Sequence, residues 1–268
     1  MKNTFLQHFG MTRDPFDRDI PADQLFESEG LRELDVRLRY LIDKQGMGLV
    51  TGEVGSGKTT AVRKVIESLH PGTHKPLYTT PSTVSTVDLL RCVAYGLGLD
   101  PQHNRVRLTN QIRQELERLV NGKRLRPVLV IDEVHLLRNE VLDDLRLLTN
   151  FRMDSLNVVT LLLVGQSEFH RKLHFSAHEA FAQRLALRYH LDGIKRGEVA
   201  AFLAHQLARA GVNIPLFADA ACDALFQASK GTLRLLNLLA HHALMAAAID
   251  RAKQADVDHV RRAVAETE

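Results

Sequence analysis

The sequence predicts an α/β fold: a three-layer αβα sandwich built on a five-stranded parallel sheet, followed by a small all-α domain. Three observations predict it. Up to about residue 193, short apolar runs alternate with amphipathic stretches, the pattern of strands joined by crossover helices. One apolar run, Gly48-Leu49-Val50-Thr51, leads straight into a glycine-rich turn, and a helical stretch comes after it. Beyond Asp192-Gly193 only helical periodicity remains.

A first helix is expected over 32–45, where Leu34, Leu38 and Leu41 share a face. Gly48–Thr51 is the first strand and 58–69 the helix after the turn. Leu77-Tyr78-Thr79 is a second strand. Pro81 and Ser82 then open a loop, and Thr86 caps a helix over 87–97. A further helix covers 106–121 and stops at Asn121-Gly122. Val128-Leu129-Val130-Ile131, guarded by Pro127 and trailed by two acids, is the third strand, with a helix over 139–149 after it. Val158–Val164 is a continuous apolar run and reads as a buried fourth strand. Leu185–Leu191 alternates apolar and polar residues and is the fifth. Helices are expected over 196–210, 218–228, 232–249 and 255–266, punctuated by Gly211, Pro215 and Gly231. The domains are therefore expected at 1–193 and 194–268.

Composition narrows the class. A chain of 268 residues with 45% hydrophobic and 25% charged residues buries a core without staples and reads as a soluble globular protein. Its apolar runs are far shorter than a membrane span, and MKNTFLQHFGMTRDPF has no leader-like apolar stretch, so a cytoplasmic protein with no membrane partner is expected. Cys92 and Cys222 could form one bridge but read rather as buried thiols. A net charge of +3 permits an anionic partner without demanding one. The absence of Trp and an aromatic content of 6% argue against a platform of stacked bases.

The turn carries the chemistry. Gly52-Glu53-Val54-Gly55-Ser56-Gly57-Lys58-Thr59 matches the phosphate-loop pattern in full, with a strand before it and a helix after it. Glycines let backbone N–H groups curl round a phosphate, and the next helix presents its positive end. Lys58 is placed for the β- and γ-phosphates of ATP and Thr59 for Mg²⁺, with Thr60 beside them. Asp132 and Glu133 end the third strand. That strand is expected beside the phosphate strand, so that Asp132 holds Mg²⁺ through water and Glu133 polarises an attacking water. A base directly after the acid favours ATP hydrolysis over phosphoryl transfer to another acceptor.

GEVGSGKTT, VLVIDEVHLL, LRLLTN, LLLVGQSEF and QRLALRYHL, in that order, resemble the ExeA-like AAA+ ATPases, a group that takes in general-secretion ATPases and transposition helpers of the TnsC and IstB types. The N-terminal HFGMTRDPFD and LFES share the likeness, which runs from about residue 5 to about residue 265. The resemblance implies a P-loop AAA+ domain with a helical lid. It makes Gln166 a γ-phosphate sensor, Arg234 a lid sensor, and Arg184 an arginine finger acting on a neighbouring subunit, with Arg188 as the other candidate. Asn150 is either near the γ-phosphate or a helix C-cap. Phe16 and Phe26, in a segment 1–30 expected near the adenine, are candidates for the base pocket and equally for ordinary core.

Secretion members of the family extend into a membrane segment and a peptidoglycan-binding region. The end of this sequence at Glu268 points instead to a stand-alone helper that assembles as a ring or filament on duplex DNA and recruits a transposase or target-selection protein. An ATPase serving secretion or envelope assembly is the alternative. Ser82, Thr83, Ser85, Arg105, Arg107 and Arg113 are then candidate DNA contacts. The basic run Lys123-Arg124-Leu125-Arg126 reads as a solvated turn. The spacing of His170, His174 and His178 permits a metal-binding helix face, but ordinary surface and core histidines fit better.

Overall fold

The computed structural model describes residues 2–17, 20–80, 85–151, 157–175 and 178–267. The chain divides into two compact units. One comprises residues 33–52 and 58–191, the other residues 1–32, 53–57 and 192–268.

The larger unit is the sheet sandwich. Its strands are β1 (Met47–Gly52), β2 (His74–Thr79), β3 (Arg126–Ile131), β4 (Thr160–Gly165) and β5 (Leu185–Leu191). All neighbours pair in parallel, in the order β2-β3-β4-β1-β5. The order corrects one expectation: β4 separates β3 from β1. Burial explains the arrangement. Only β1 and β4 are buried at every residue and so suit the middle of a sheet covered on both faces. β3 begins at the exposed Arg126, while β2 and β5, partly exposed, take the edges.

Amphipathic helices cover the sheet. In α2 (Glu29–Asp43), Leu34, Leu38, Leu41 and Ile42 are buried at the expected helical spacing. α3 (Lys58–Glu67) comes after the glycine-rich turn, burying Ala61, Val62 and Val65. α4 (Thr86–Leu97) starts at an N-cap supplied by Ser85, whose side chain accepts from the Asp88 N–H, so the cap lies one residue before the expected Thr86. α5 (Arg105–Lys123) is capped by Asn104 and buries Leu108, Ile112, Leu116 and Leu119. α6 (Asn139–Thr149) lies where expected. Two short helices that periodicity did not reveal, α7 (Glu168–Leu173) and α8 (Glu179–Ala182), lie between β4 and β5. β2 is longer than expected and β3 incorporates Pro127, because its partner strands begin at the same level, His74 against Arg126.

The second unit is helical. Four helices form its C-terminal part: α9 (Val199–Arg209), α10 (Asp219–Ser229), α11 (Leu233–Ile249) and α12 (Val257–Ala265). The N-terminal helix α1 (Lys2–Phe9) joins them, with the Phe5 ring against His241 at a centroid separation of 5.1 Å. Met11 and Phe16 also enter this core. Residues 1–32 thus group with the C-terminal helices, although they precede the sheet in the chain. Asp256 caps α12, accepting from the N–H groups of Asp258 and His259. Cys92 and Cys222 are both free, but Cys92 is exposed and Cys222 half-buried, so neither is the buried thiol expected.

Leu163, in the middle of β4, is fully buried in the core of the sheet unit. Leu163→Ala is expected to lower the unfolding free energy by about 2–5 kcal/mol, the cost of the lost transfer energy plus a cavity, read from urea melts at constant m-value.

Candidate functional site

The sheet unit carries an acidic cluster. β3 ends in Asp132, 3% exposed, whose carboxylate takes three donors among the described residues. Thr59 Oγ1 and Tyr78 Oη each donate to Oδ2 at 2.9 Å, and the Glu133 backbone N–H donates to Oδ1 at 2.8 Å. A buried carboxylate needs this satisfaction, since one left without partners costs several kcal/mol. Thr59 lies in the first turn of α3 beside Lys58, which is 6% exposed. A threonine hydroxyl that gives its proton to Asp132 keeps its lone pairs outward, the arrangement a hard cation such as Mg²⁺ requires.

Tyr78 is a partner that sequence reasoning missed. It comes from the edge strand β2, which pairs with β3 in register, Tyr78 opposite Val130. Burial is the leading cause that pushes its phenol pKa up, so the group stays protonated and donates to Asp132. The alternation of β2 placed Tyr78 on a face, but no local signal in the sequence links a β2 residue to a carboxylate on β3.

Glu133 takes a left-handed conformation (φ 53°, ψ 38°), uncommon for a residue with a side chain. The turn starts a short 3₁₀ segment, Val134–Leu136, and leaves the Glu133 side chain about one third exposed at 37%. Gln166 directly succeeds β4 and lies 3.0 Å, nitrogen to nitrogen, from His135 Nε2. Gly165 makes that approach possible, because a Cβ there would stand 2.8 Å from the Val134 side chain. Asp132, Glu133, Thr59 and Gln166 therefore gather at the C-terminal ends of the strands.

The helical unit carries the glycine-rich stretch Glu53–Gly57. Gly55 has φ +83°, and a Cβ on it would lie 2.6 Å from the Arg234 Cβ. The Gly55 carbonyl accepts from the Arg234 N–H at 3.2 Å, so the stretch satisfies a free amide in the first turn of α11. Arg234 itself is exposed at the start of that helix. Ser56 is 2% exposed and its hydroxyl makes no hydrogen bond among the described residues. A buried hydroxyl without a partner in a loop of positive-φ glycines is chemically suited to a phosphate oxygen. The residues present thus fit a nucleotide phosphate and, on Thr59 and Asp132, a Mg²⁺ ion. When bound, that ion withdraws charge from the phosphates.

The other candidate residues fall in several places. Arg184 donates to the Arg146 carbonyl at 3.0 Å and Arg188 to the Ala182 carbonyl at 2.5 Å. Asn150 is the C-cap residue of α6. Phe16 packs edge-on to Phe217, and Phe26 edge-on to Phe202. Ser82 and Thr83 lie outside the described residues. Ser85 is occupied as the cap of α4. Arg105 is paired with Asp144, and Arg113 donates to the Leu147 and Asn150 carbonyls with its guanidinium over the Phe151 ring. Arg107 is exposed. His170, His174 and His178 do not share a helix face, since α7 ends at Leu173, and no cluster suited to a metal is formed by His, Cys, Asp and Glu among the described residues. His170 instead lies 2.9 Å from the Thr51 hydroxyl, which is also 3.1 Å from His190 Nδ1.

A model described as an AAA domain matches residues 41–173. The fold is that of a P-loop AAA domain. A protein of Aeromonas hydrophila described as general secretion pathway protein A is 35% identical over 247 residues, a match that takes in 91% of this chain and 45% of that protein. The chain therefore spans less than half the length of this relative. Solved structures are similar in fold: Cdc6p from Pyrobaculum aerophilum (TM-score 0.72, 15% identity, 96% of this chain and 71% of that one) and the Aeropyrum pernix ORC1 protein in complex with DNA (TM-score 0.63, 20% identity, 97% and 69%). The Thermotoga maritima RuvB Holliday junction branch migration motor is similar as well (TM-score 0.59, 18% identity, 95% and 73%). At such identities the likeness concerns the fold alone. Together the family model and the Aeromonas relative support an ExeA-like AAA+ ATPase.

This geometry has two measurable consequences. Gly55→Val is expected to abolish ATP binding in equilibrium titration, because the loop cannot hold φ +83° with a branched Cβ against Arg234. The second concerns His170, whose pKa is lowered, first by burial and then by His190, Arg188 and His174. A depressed pKa means the unfolded chain binds the proton more readily. The stability it contributes is therefore present above the unfolded value, about 6.5, and is lost as pH falls through the folded one. Denaturant melts from pH 7.5 to 5 should show stability falling with pH, and His170→Phe should flatten that slope.

Proposed function

We propose that this protein is a Mg²⁺-dependent ATPase of the AAA+ type, hydrolysing ATP to ADP and phosphate. The observation that carries the reading is the Thr59–Asp132–Glu133 constellation: a hydroxyl and a buried carboxylate joined at 2.9 Å, with a second, partly exposed carboxylate one residue on. Lys58 serves the β- and γ-phosphates. Thr59 and Asp132 hold Mg²⁺, and Glu133 takes the proton of the attacking water. Gln166 senses the γ-phosphate, and Arg234 reports nucleotide to the C-terminal helices. Arg184 serves as the arginine finger in an oligomer, as the family resemblance implies. We further propose that the protein works in the cytoplasm.

As to what the ATPase serves, the 35% identity to a protein described as general secretion pathway protein A favours a role in secretion or envelope assembly with a membrane-associated partner. No helix among the described residues is long and apolar enough to cross a membrane, so such a partner would be another chain or another segment. The transposition-helper reading, with assembly on duplex DNA, draws on the fold likeness to proteins that include a DNA complex. It loses force because Arg105 and Arg113 are engaged within the protein.

Steady-state ATPase assays and nucleotide titrations test the core reading. Lys58→Ala should abolish binding. Glu133→Gln should bind ATP within about threefold of wild type yet lose about 100-fold or more in kcat, on the scale of general-base catalysis. Wild-type turnover by Glu133→Gln would overturn the assignment of the base. ATP-dependent, salt-sensitive binding of duplex DNA would restore the transposition reading; its absence at low salt would leave the secretion one.

A further inference from the structure

His135 stands between the two groups assigned opposite ends of the reaction. Its Nε2 lies 3.0 Å from the Gln166 amide nitrogen, and its Nδ1 lies 3.3 Å from Glu133 Oε2. The ring is largely buried, with 13% of its side chain exposed. Nδ1 is fully buried and makes no hydrogen bond among the described residues: the Glu133 oxygen is at contact distance but off the hydrogen-bonding direction. A buried ring nitrogen without a partner beside a partly exposed carboxylate is costly, and a small turn of the Glu133 side chain resolves it.

The chemistry of imidazole makes the two contacts interdependent. A neutral ring carries one proton, so one nitrogen donates and the other accepts. As placed, the Gln166 amide nitrogen donates to Nε2. The ring proton must then sit on Nδ1, where it faces Glu133. Were the amide turned over, its oxygen would accept from an Nε2 proton, and Nδ1 would present a lone pair to a carboxylate. The Glu133 carboxylate, which can only accept, therefore favours the tautomer with its proton on Nδ1, and the Gln166 amide nitrogen matches that tautomer by donating to Nε2.

The surroundings fix the ring in this role. Val134–Leu136 packs on the end of β4 because Gly165 has no side chain, and Lys172 on α7 donates to the Leu137 carbonyl just after the segment. Burial lowers the Lys172 pKa without removing this donor role.

We propose that His135 is a positioning residue for hydrolysis: with its proton on Nδ1 and the Gln166 amide nitrogen donating to Nε2, it holds the Glu133 carboxylate in the orientation that receives the proton of the attacking water. The proposal rests on Glu133 as the base. His135 touches neither water nor phosphate; it acts through Glu133, and Gln166 acts on Glu133 through His135.

The test uses the full chain and measures kcat, KM and direct ATP binding for a set of variants. His135→Phe keeps the ring shape and removes both nitrogens. It should lose about 10- to 100-fold in kcat, with ATP affinity within about twofold of wild type. His135→Asn places an amide near the Nδ1 position and should recover more activity than His135→Gln, whose amide falls near Nε2. Gln166→Ala should lose activity as well, and the double variant should lose less than the product of the two single losses, because the contact through His135 is shared while the γ-phosphate role of Gln166 is not. Wild-type kcat in His135→Phe would overturn the proposal, as would multiplicative losses in the double variant or equal activity of the Asn and Gln variants. Should His135→Phe fail to bind ATP, the order of the Asn and Gln variants decides. Glu133→Gln separates the levels: if it hydrolyses at the wild-type rate, the base itself is misassigned. If it is inactive while His135→Phe is normal, only the role of His135 fails.

Discussion

The structure depends on the buried carboxylate of Asp132. At 3% exposure it cannot rely on water, so the protein must bring donors to it. Three different elements do so: Thr59 from the first turn of α3, Tyr78 from β2 and the Glu133 amide from the turn after β3. Two hydroxyls donate to Oδ2 and the Glu133 N–H donates to Oδ1. The acid is thus already oriented, and the Thr59 hydroxyl, whose proton goes to Asp132, has the geometry of the cation ligand proposed above. Removing one donor leaves a buried acceptor short, a penalty of about 1–3 kcal/mol.

The second constraint is the place of β4. Its six residues are all buried, and it lies between β1, which leads into the glycine-rich turn, and β3, which ends in the acid pair. A strand in that position carries its C-terminal end to the middle of the site. Gly165 and Gln166 stand at that end: the glycine admits the 3₁₀ segment, and the glutamine meets His135. Hydrophobic burial of a central strand therefore sets the position of a polar side chain for which a chemical role is proposed.

Much of this was legible in the sequence. The five apolar runs became five parallel strands, and the four helices after residue 193 lie near their expected ranges, because both signals rest on periodicity within a segment. The phosphate-loop motif is equally local, so its residues could be named outright. Whatever depends on pairing between distant segments was not legible. The expectation that β3 adjoins β1 failed because strand order is set by burial on both faces. The grouping of residues 1–32 with the C-terminal helices arises from Phe5, Met11 and Phe16, whose apolar character alone does not say which core they join. Tyr78 and His135 went unnoticed for the same reason: each matters through one contact to a residue on another strand or turn. The arginines considered for DNA contact illustrate the converse, since Arg105 and Arg113 look free in the sequence and are engaged in the fold.

The central claim is that Thr59 and Asp132 form the cation site of an ATP-hydrolysing centre. Mn²⁺, which is paramagnetic, reports on that site directly. Titrating Mn²⁺ into the protein with a slowly hydrolysed ATP analogue, and measuring the free ion by electron paramagnetic resonance, should give one tight nucleotide-dependent site in the wild type. Asp132→Asn should weaken it about 100-fold while the analogue still binds. Retention of wild-type Mn²⁺ affinity in Asp132→Asn would contradict the account.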